Sequence, residues 1–197
     1  MQDNTVGTLT QVQKQIVVGL ILGDGYLRKI DGRKNAFLEI NHGISQKFYV
    51  DWLYKQLENC VRSIPKARRG NGNRIAYRFF TKSDFDFTKF WKEFYHDKKK
   101  VLPKHFGLTP LSLAIWFMDD GSKSKDSIYL NTQQFSLSDQ KQLISILEKN
   151  FQIKSRLNKD KIYFRIRIFK ESHARLIATI RPFLLKAFYY KIGLEAP

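Results

Sequence analysis

QIVVGLILGDGYL (Gln15–Leu27) and LAIWFMDDGSK (Leu113–Lys123) are two apolar runs, each closing in Asp-Gly. The second starts about half a chain after the first. In a chain of 197 residues this spacing points to a duplicated unit of about a hundred residues. Working outward, NRIAYRFFTKSDF (Asn73–Phe85) and KIYFRIRIFKESH (Lys161–His173) share a strand-like alternation followed by a Ser-capped helix start. Lys100 and Lys191 then follow Asp24 and Asp120 at similar distances, so four features recur in one order. The chain divides into halves at residues 1–101 and 102–197.

Period and punctuation predict the elements. Thr10 with Gln13 makes a capping box for a helix ending at Gly25, and Thr109-Pro110 supplies an N-cap and an N1 proline for one ending at Gly121. Strands are expected at Tyr26–Ile30 and Ala36–His42, then a helix from Ser45 with Phe48, Trp52, Leu53 and Leu57 at helical spacing. A hairpin turning at Gly70–Asn73 follows, then a helix near Ser83 carrying Phe87, Phe90, Trp91 and Phe94. The second half repeats the order with Ser127–Phe135, a helix through Ile144, Leu147 and Phe151, a turn at Asn158–Asp160, and a helix through Leu176, Ile177 and Ile180. Residues Lys98–Leu108 form the linker.

Lys and Arg number 35 against 18 Asp and Glu, a formal charge of +17, while 43% of residues are apolar and 14% aromatic. Such a chain can bury a core, which excludes a disordered basic tail. The single cysteine, Cys60, excludes a disulfide framework and is expected in the core. The longest nearly unbroken apolar stretch, Ile16–Leu22, is short for a membrane span, and the polar start does not read as a signal peptide. The positive excess points to a polyanionic partner, with nucleic acid foremost. Along Ile162–Phe169 the alternation puts Ile162, Phe164, Ile166 and Ile168 on a core face and Tyr163, Arg165 and Arg167 on the other; Ile75, Tyr77 and Phe79 oppose Arg74 and Arg78 in the same way. Basic sheet faces can follow a duplex groove. The candidate DNA contacts are Arg28, Lys29, Arg33, Arg68, Arg69, Arg74, Arg78, Lys123, Lys125, Asn131, Gln133, Arg156, Lys159, Lys161, Arg165 and Arg167.

Both motif helices are apolar nearly all round and should be buried against each other, with Gly19, Gly23 and Ala114 allowing close approach. Each ends in a carboxylate, the unfavourable charge at a helix C-terminus. Either Asp alone could merely start a turn; a duplicated pair suits a hard divalent cation, which takes carboxylate and backbone carbonyl oxygens. Asp24 and Asp120 are the candidate ligands, with Gly23 and Asp119 beside them. The four histidines, His42, His96, His105 and His173, are scattered, lack metal-ligand spacing and read as ordinary residues.

VVGLILGDG (Val17–Gly25) and LAIWFMDDG (Leu113–Gly121), with NTQQF (Asn131–Phe135), resemble the double-motif LAGLIDADG homing endonucleases from about Leu9 to the C-terminus. The resemblance implies an α/β (α+β) fold of two pseudo-twofold αββαββα halves, with two antiparallel sheets forming a saddle over DNA. It implies Mg2+-dependent cleavage of both strands of a long double-stranded target by a monomer, leaving 3′ overhangs. Mn2+ would substitute, and Ca2+ would support binding without cleavage. Asp24 and Asp120 become the metal-binding acids; Asp119 becomes solvent-facing or a support for the ligands, and Lys100 and Lys191 the basic residues of the two sites. Ile115, Trp116 and Phe117 depart from the small or aliphatic residues of the pattern, so the helix interface should be asymmetric. Alternatives are a maturase binding intron RNA and a DNA-binding protein without catalysis. Location would be an organelle if the chain is intron-encoded there, otherwise a prokaryotic cytoplasm.

Overall fold

The computed structural model describes residues 7–70 and 72–194. Helix α1 (Gln11–Leu22) begins at the Thr10–Gln13 capping box. Strands β1 (Tyr26–Arg28) and β2 (Phe37–Gly43), helix α2 (Lys47–Leu57), strands β3 (Lys66–Arg69) and β4 (Ile75–Phe80) and helix α3 (Phe85–Phe94) follow. A small hairpin, β5 (Tyr95–His96) and β6 (Lys99–Lys100), precedes α4 (Pro110–Asp120). Then come β7 (Gly121–Ser124), β8 (Ser127–Leu130), α5 (Leu137–Phe151), β9 (Ser155–Asp160), β10 (Tyr163–Ile168) and α6 (His173–Ile180). The two four-stranded sheets have the same antiparallel topology, β1-β2-β4-β3 and β7-β8-β10-β9, so αββαββα occurs twice. No helix among the described residues is long and apolar enough to cross a membrane.

The core joins the halves, because α1 and α4 pack directly on each other. Ile16, Val17, Leu20, Ile21 and Leu22 on α1 and Leu113 to Met118 on α4 are at most 1% exposed. Burial of each large aliphatic side chain contributes roughly 1.5–3 kcal/mol. Gly19 explains how closely the helices approach: a Cβ there would stand 2.6 Å from the Ser112 carbonyl and 2.7 Å from the Ile115 Cβ. The Ser112 hydroxyl donates to the Gln15 carbonyl at 2.8 Å across the same seam. Gly19 therefore meets Ser112 and Ile115, while Ala114 is buried in the core.

Several local expectations are corrected. The motif helices end at Leu22 and Asp120, and the strands they feed run Tyr26–Arg28 and Gly121–Ser124. Lys98–Leu108 is not wholly linker, since its start closes the β5–β6 hairpin. Asp84, not Ser83, caps α3 by accepting from the Asp86 amide. Ser172 makes no cap hydrogen bond, because its hydroxyl accepts from the Lys154 amide. Ser127–Phe135 is a strand only to Leu130. Asn158–Asp160 is strand rather than turn: pairing with Tyr163–Arg165 outweighs local turn preference, and the chain reverses at Lys161 and Ile162. Ile162 is consequently 79% exposed, and Ile75, on the same side of β4 as Tyr77 and Phe79, is 42% exposed at the start of the strand. The Gly70–Asn73 turn does join β3 to β4, with the Gly70 amide donating to the Arg74 carbonyl; Asn71 lies outside the described residues. Cys60 is buried.

Candidate functional site

The C-terminal carbonyls of a helix have no partners within the helix and carry partial negative charge. At the ends of α1 and α4 backbone amides meet some of these needs, and side chains from elsewhere meet others. Lys100 Nζ donates to the Gly23 carbonyl at 2.6 Å, and Lys191 Nζ to the Met118 and Asp119 carbonyls at 2.6 and 3.2 Å. Asn131 donates to the Asp120 carbonyl through its amide N and through Nδ2. Gln134 spans the pair, donating to the Leu22 carbonyl at 2.9 Å and lying 3.5 Å from both the Gly23 carbonyl and Asp120 Oδ2. The two lysines thus offset the misplaced negative charge of acids at helix C-termini.

Different local devices deliver the lysines. Tyr95 opens β5, its hydroxyl accepts from the Leu27 amide at 3.0 Å and its ring meets Tyr26 edge-on, so the hairpin is pinned to β1 just after Asp24-Gly25. Its partner in register is Lys100. Lys191 rides on a 3-10 segment, Lys186–Ile192, closed by Gly193 in the left-handed region and wedged by buried Phe188 against Tyr49.

The carboxylates are not equivalent. The side chain of Asp24 is 53% exposed, whereas Asp120 is half-buried. Burial, then the charge of Asp24, pushes the Asp120 carboxyl up to about 7, against the pull of Lys100 and Lys191. Burial pushes the Lys100 ammonium down to about 8, opposed by Asp120, Asp119 and Asp24, and lowers Lys191 for the same reason. Asp119 is not solvent-facing. Its Oδ2 accepts the Asp24 amide at 3.0 Å, the Tyr49 hydroxyl reaches the same carboxyl, and burial holds that carboxyl well above the usual range. It fills space left by Gly23, where any Cβ would collide with the Asp119 carboxylate.

The donors suit a divalent cation. Crowded carboxyls that resist ionisation on their own ionise readily beside added positive charge. The Gly23 carbonyl, expected as a ligand, accepts a hydrogen bond from Lys100. Sequence reasoning missed two neighbours. His42, read as ordinary, points Nδ1 at Asp24 Oδ2 from 3.7 Å. Gln134 was visible only as part of NTQQF, since nothing in its spacing announces a bridge between the helix ends. A cleft of about 700 Å³ opens beside Gly23, Asp24, Tyr26, Lys98, Lys100 and Gln134.

Register sorts the basic residues. Arg28, Arg68 and Arg78 share the face of the first sheet turned from its helices, together with Lys66 and Asn41. Arg156, Arg165 and Arg167 share the equivalent face of the second with Tyr129 and Asn158. Arg165 stacks on Tyr129, its guanidinium 4.0 Å from the ring centre. Arg28 is partly committed, at 2.7 Å from Glu39. Lys125 and Lys161 occupy turns, and Arg33 and Arg74 lie in the segments that connect strands. Arg69, Lys123 and Lys159 alternate to the other face, by their pairing with Ile75, Ile128 and Phe164. Lys29 turns back to the Arg33 carbonyl and the Trp91 ring. Asn131 is spent on Asp120, and Gln133 donates to Asp160.

A profile described as the LAGLIDADG DNA endonuclease family matches residues 14–176. The cytochrome b mRNA maturase bI2 of Saccharomyces cerevisiae is 32% identical over 209 aligned positions, covering 97% of this chain but only 49% of that protein's length. A probable intron-encoded endonuclease 1 of Wickerhamomyces canadensis is 27% identical, covering 94% of this chain and 85% of that one. Among solved structures, the homing endonuclease I-WcaI bound to its DNA recognition sequence superposes with a TM-score of 0.87 at 27% identity, over 96% of this chain and 89% of that one.

Proposed function

Because the chain belongs to the LAGLIDADG DNA endonuclease family, we propose that it acts as a monomeric homing endonuclease, cutting both strands of a long DNA target in a reaction that needs Mg2+ and leaves 3′ overhangs. One observation carries this reading: Asp24 just beyond α1 and Asp120 at the end of α4 stand at the tips of two helices packed together, each tip flanked by a lysine on nearby carbonyls. When bound, a divalent cation acidifies a water ligand and neutralises charge on the phosphodiester. Asp24 and Asp120 would hold it, and Asp120, near neutrality on its own, would be ionised by it. Lys100 and Lys191 hold the two acidic tips in place and present cations to the phosphates. The arginine faces of the two sheets, as a saddle, would track the duplex, and DNA bound by I-WcaI supports that use.

The test is a cleavage screen on a randomised target library with Mg2+, with Mn2+ as substitute, and with Ca2+, which should bind without cutting. Asp24→Asn and Asp120→Asn should each abolish double-strand cleavage with DNA affinity kept within about tenfold. Full cleavage by the double variant refutes the assignment. The maturase name of the yeast relative favours a second reading, intron RNA binding, which would survive both substitutions. The intron-encoded name of the Wickerhamomyces relative supports residence in the organelle that carries the host intron.

A further inference from the structure

His42 lies on β2 and is 5% exposed, its ring edge-on to Tyr49 at 5.3 Å and reached by the Gln46 side chain. Its Nδ1 stands 3.7 Å from Asp24 Oδ2, beyond hydrogen-bond range. Asp119 completes a triangle. One of its oxygens takes the Asp24 amide, the Tyr49 hydroxyl reaches the same carboxyl, and Oδ1 is shut away from water. One ligand atom from each of Asp24, His42 and Asp119 lies within 4.8 Å of the others. A carboxylate shut away from water with so few donors around it is costly. Rotation of the exposed Asp24 carboxylate brings the three donors towards bonds of ~2.1 Å to a shared cation, which removes that cost.

We propose that Asp24, His42 and Asp119 form a mixed nitrogen and oxygen site in the first half that takes a first-row transition-metal dication, Mn2+ or Co2+, in preference to Mg2+. The inference rests on the reading of Asp24 as a metal-binding acid and gives the two halves different chemistry. Mg2+ prefers oxygen donors and retains water, whereas first-row transition-metal dications accept an imidazole nitrogen more readily. Among the described residues the other imidazoles are placed elsewhere: His96 faces Asp97, His105 lines a separate cleft with Gln142 and Lys149, and His173 faces the Ile168 carbonyl. The second half therefore keeps oxygen donors alone.

The experiment uses the full chain without DNA, titrated with Mn2+ under paramagnetic resonance and with Mg2+ in competition. One Mn2+ should bind about tenfold or more tightly than Mg2+. Its spin-echo spectrum should carry nitrogen modulation from one imidazole. His42→Gln, shown to be folded by circular dichroism, should erase the modulation and weaken Mn2+ about tenfold while leaving Mg2+ within about twofold. Asp120→Asn should leave the modulation in place. Bound Mn2+ without nitrogen coupling, equal affinity for the two metals, or no binding at concentrations on the order of 1 mM overturns the site, and the wild-type spectrum requires no variant. A chain with nitrogen-bound Mn2+ that cuts no DNA keeps this site and loses the nuclease reading; one that cuts DNA with no nitrogen coupling does the reverse.

Discussion

Gly23 and Asp119 hold equivalent positions in the two motifs and do opposite things: one gives up its side chain, the other fills the vacated space and caps the Asp24 amide. Gly23→Ala should therefore cost about 1–3 kcal/mol by overpacking. Combined with Asp119→Ala it should cost less than the two single changes added together, a coupling readable from denaturant melts. The acids also set a pH dependence. Asp120 is neutral in the folded chain up to about 7 but ionises near its ordinary value once unfolded, so the unfolded state holds fewer protons between those values. Without divalent cations, stability should fall as pH rises from about 4 to about 7. Asp120→Asn should flatten that fall in urea titrations. Lys100 has the opposite sign: depressed to about 8, it should let stability recover as pH climbs from there towards its ordinary value.

At the scale of elements, the β5–β6 hairpin shows where sequence legibility stopped. Its turn residues, Asp97 and Lys98, both take positive φ, 48° and 63°, without the Asn-Gly that normally signals such a turn. Asp97→Asn with Lys98→Gly should therefore stabilise the chain by about 0.5–1 kcal/mol, measured as a rise in Tm. Tyr95→Phe would leave the Leu27 amide unpaired at a cost of about 1–3 kcal/mol, and loosening the lysine it positions should reduce cleavage more than it reduces stability. The long apolar helices, the capped starts at Thr10 and Thr109 and the Asp-Gly ends were legible because period and chemistry agree there. Strand ends were less so: at Asn158–Asp160 local turn residues lose to cross-strand pairing. Which side of the sheet a lysine occupies depends on register, and Lys123, Lys159 and Arg69 show that composition alone cannot supply it. His42 and Gln134 joined the site through contacts distant in sequence, which leave no local trace.

For the whole molecule, a charge of +17 with arginines on matched faces of two sheets should make DNA affinity steeply salt-dependent. An interface with six to ten phosphate contacts loses about a thousandfold or more between roughly 50 and 200 mM salt. Arg165→Ala should cost about 1–3 kcal/mol and relax preference at one base pair, seen by selection on a target library. An unchanged selection profile would make the stacked Arg165 a support for Tyr129 instead.

The seam between α1 and α4 has an evolutionary corollary. Gly19 receives Ile115, and Gly23 receives Asp119, so the halves interlock like a key cut to one lock. Chimeras that join one half to the other half of a relative should assemble only when notch and tooth are exchanged together. Either half expressed by itself would strand an oily helix in water and should precipitate.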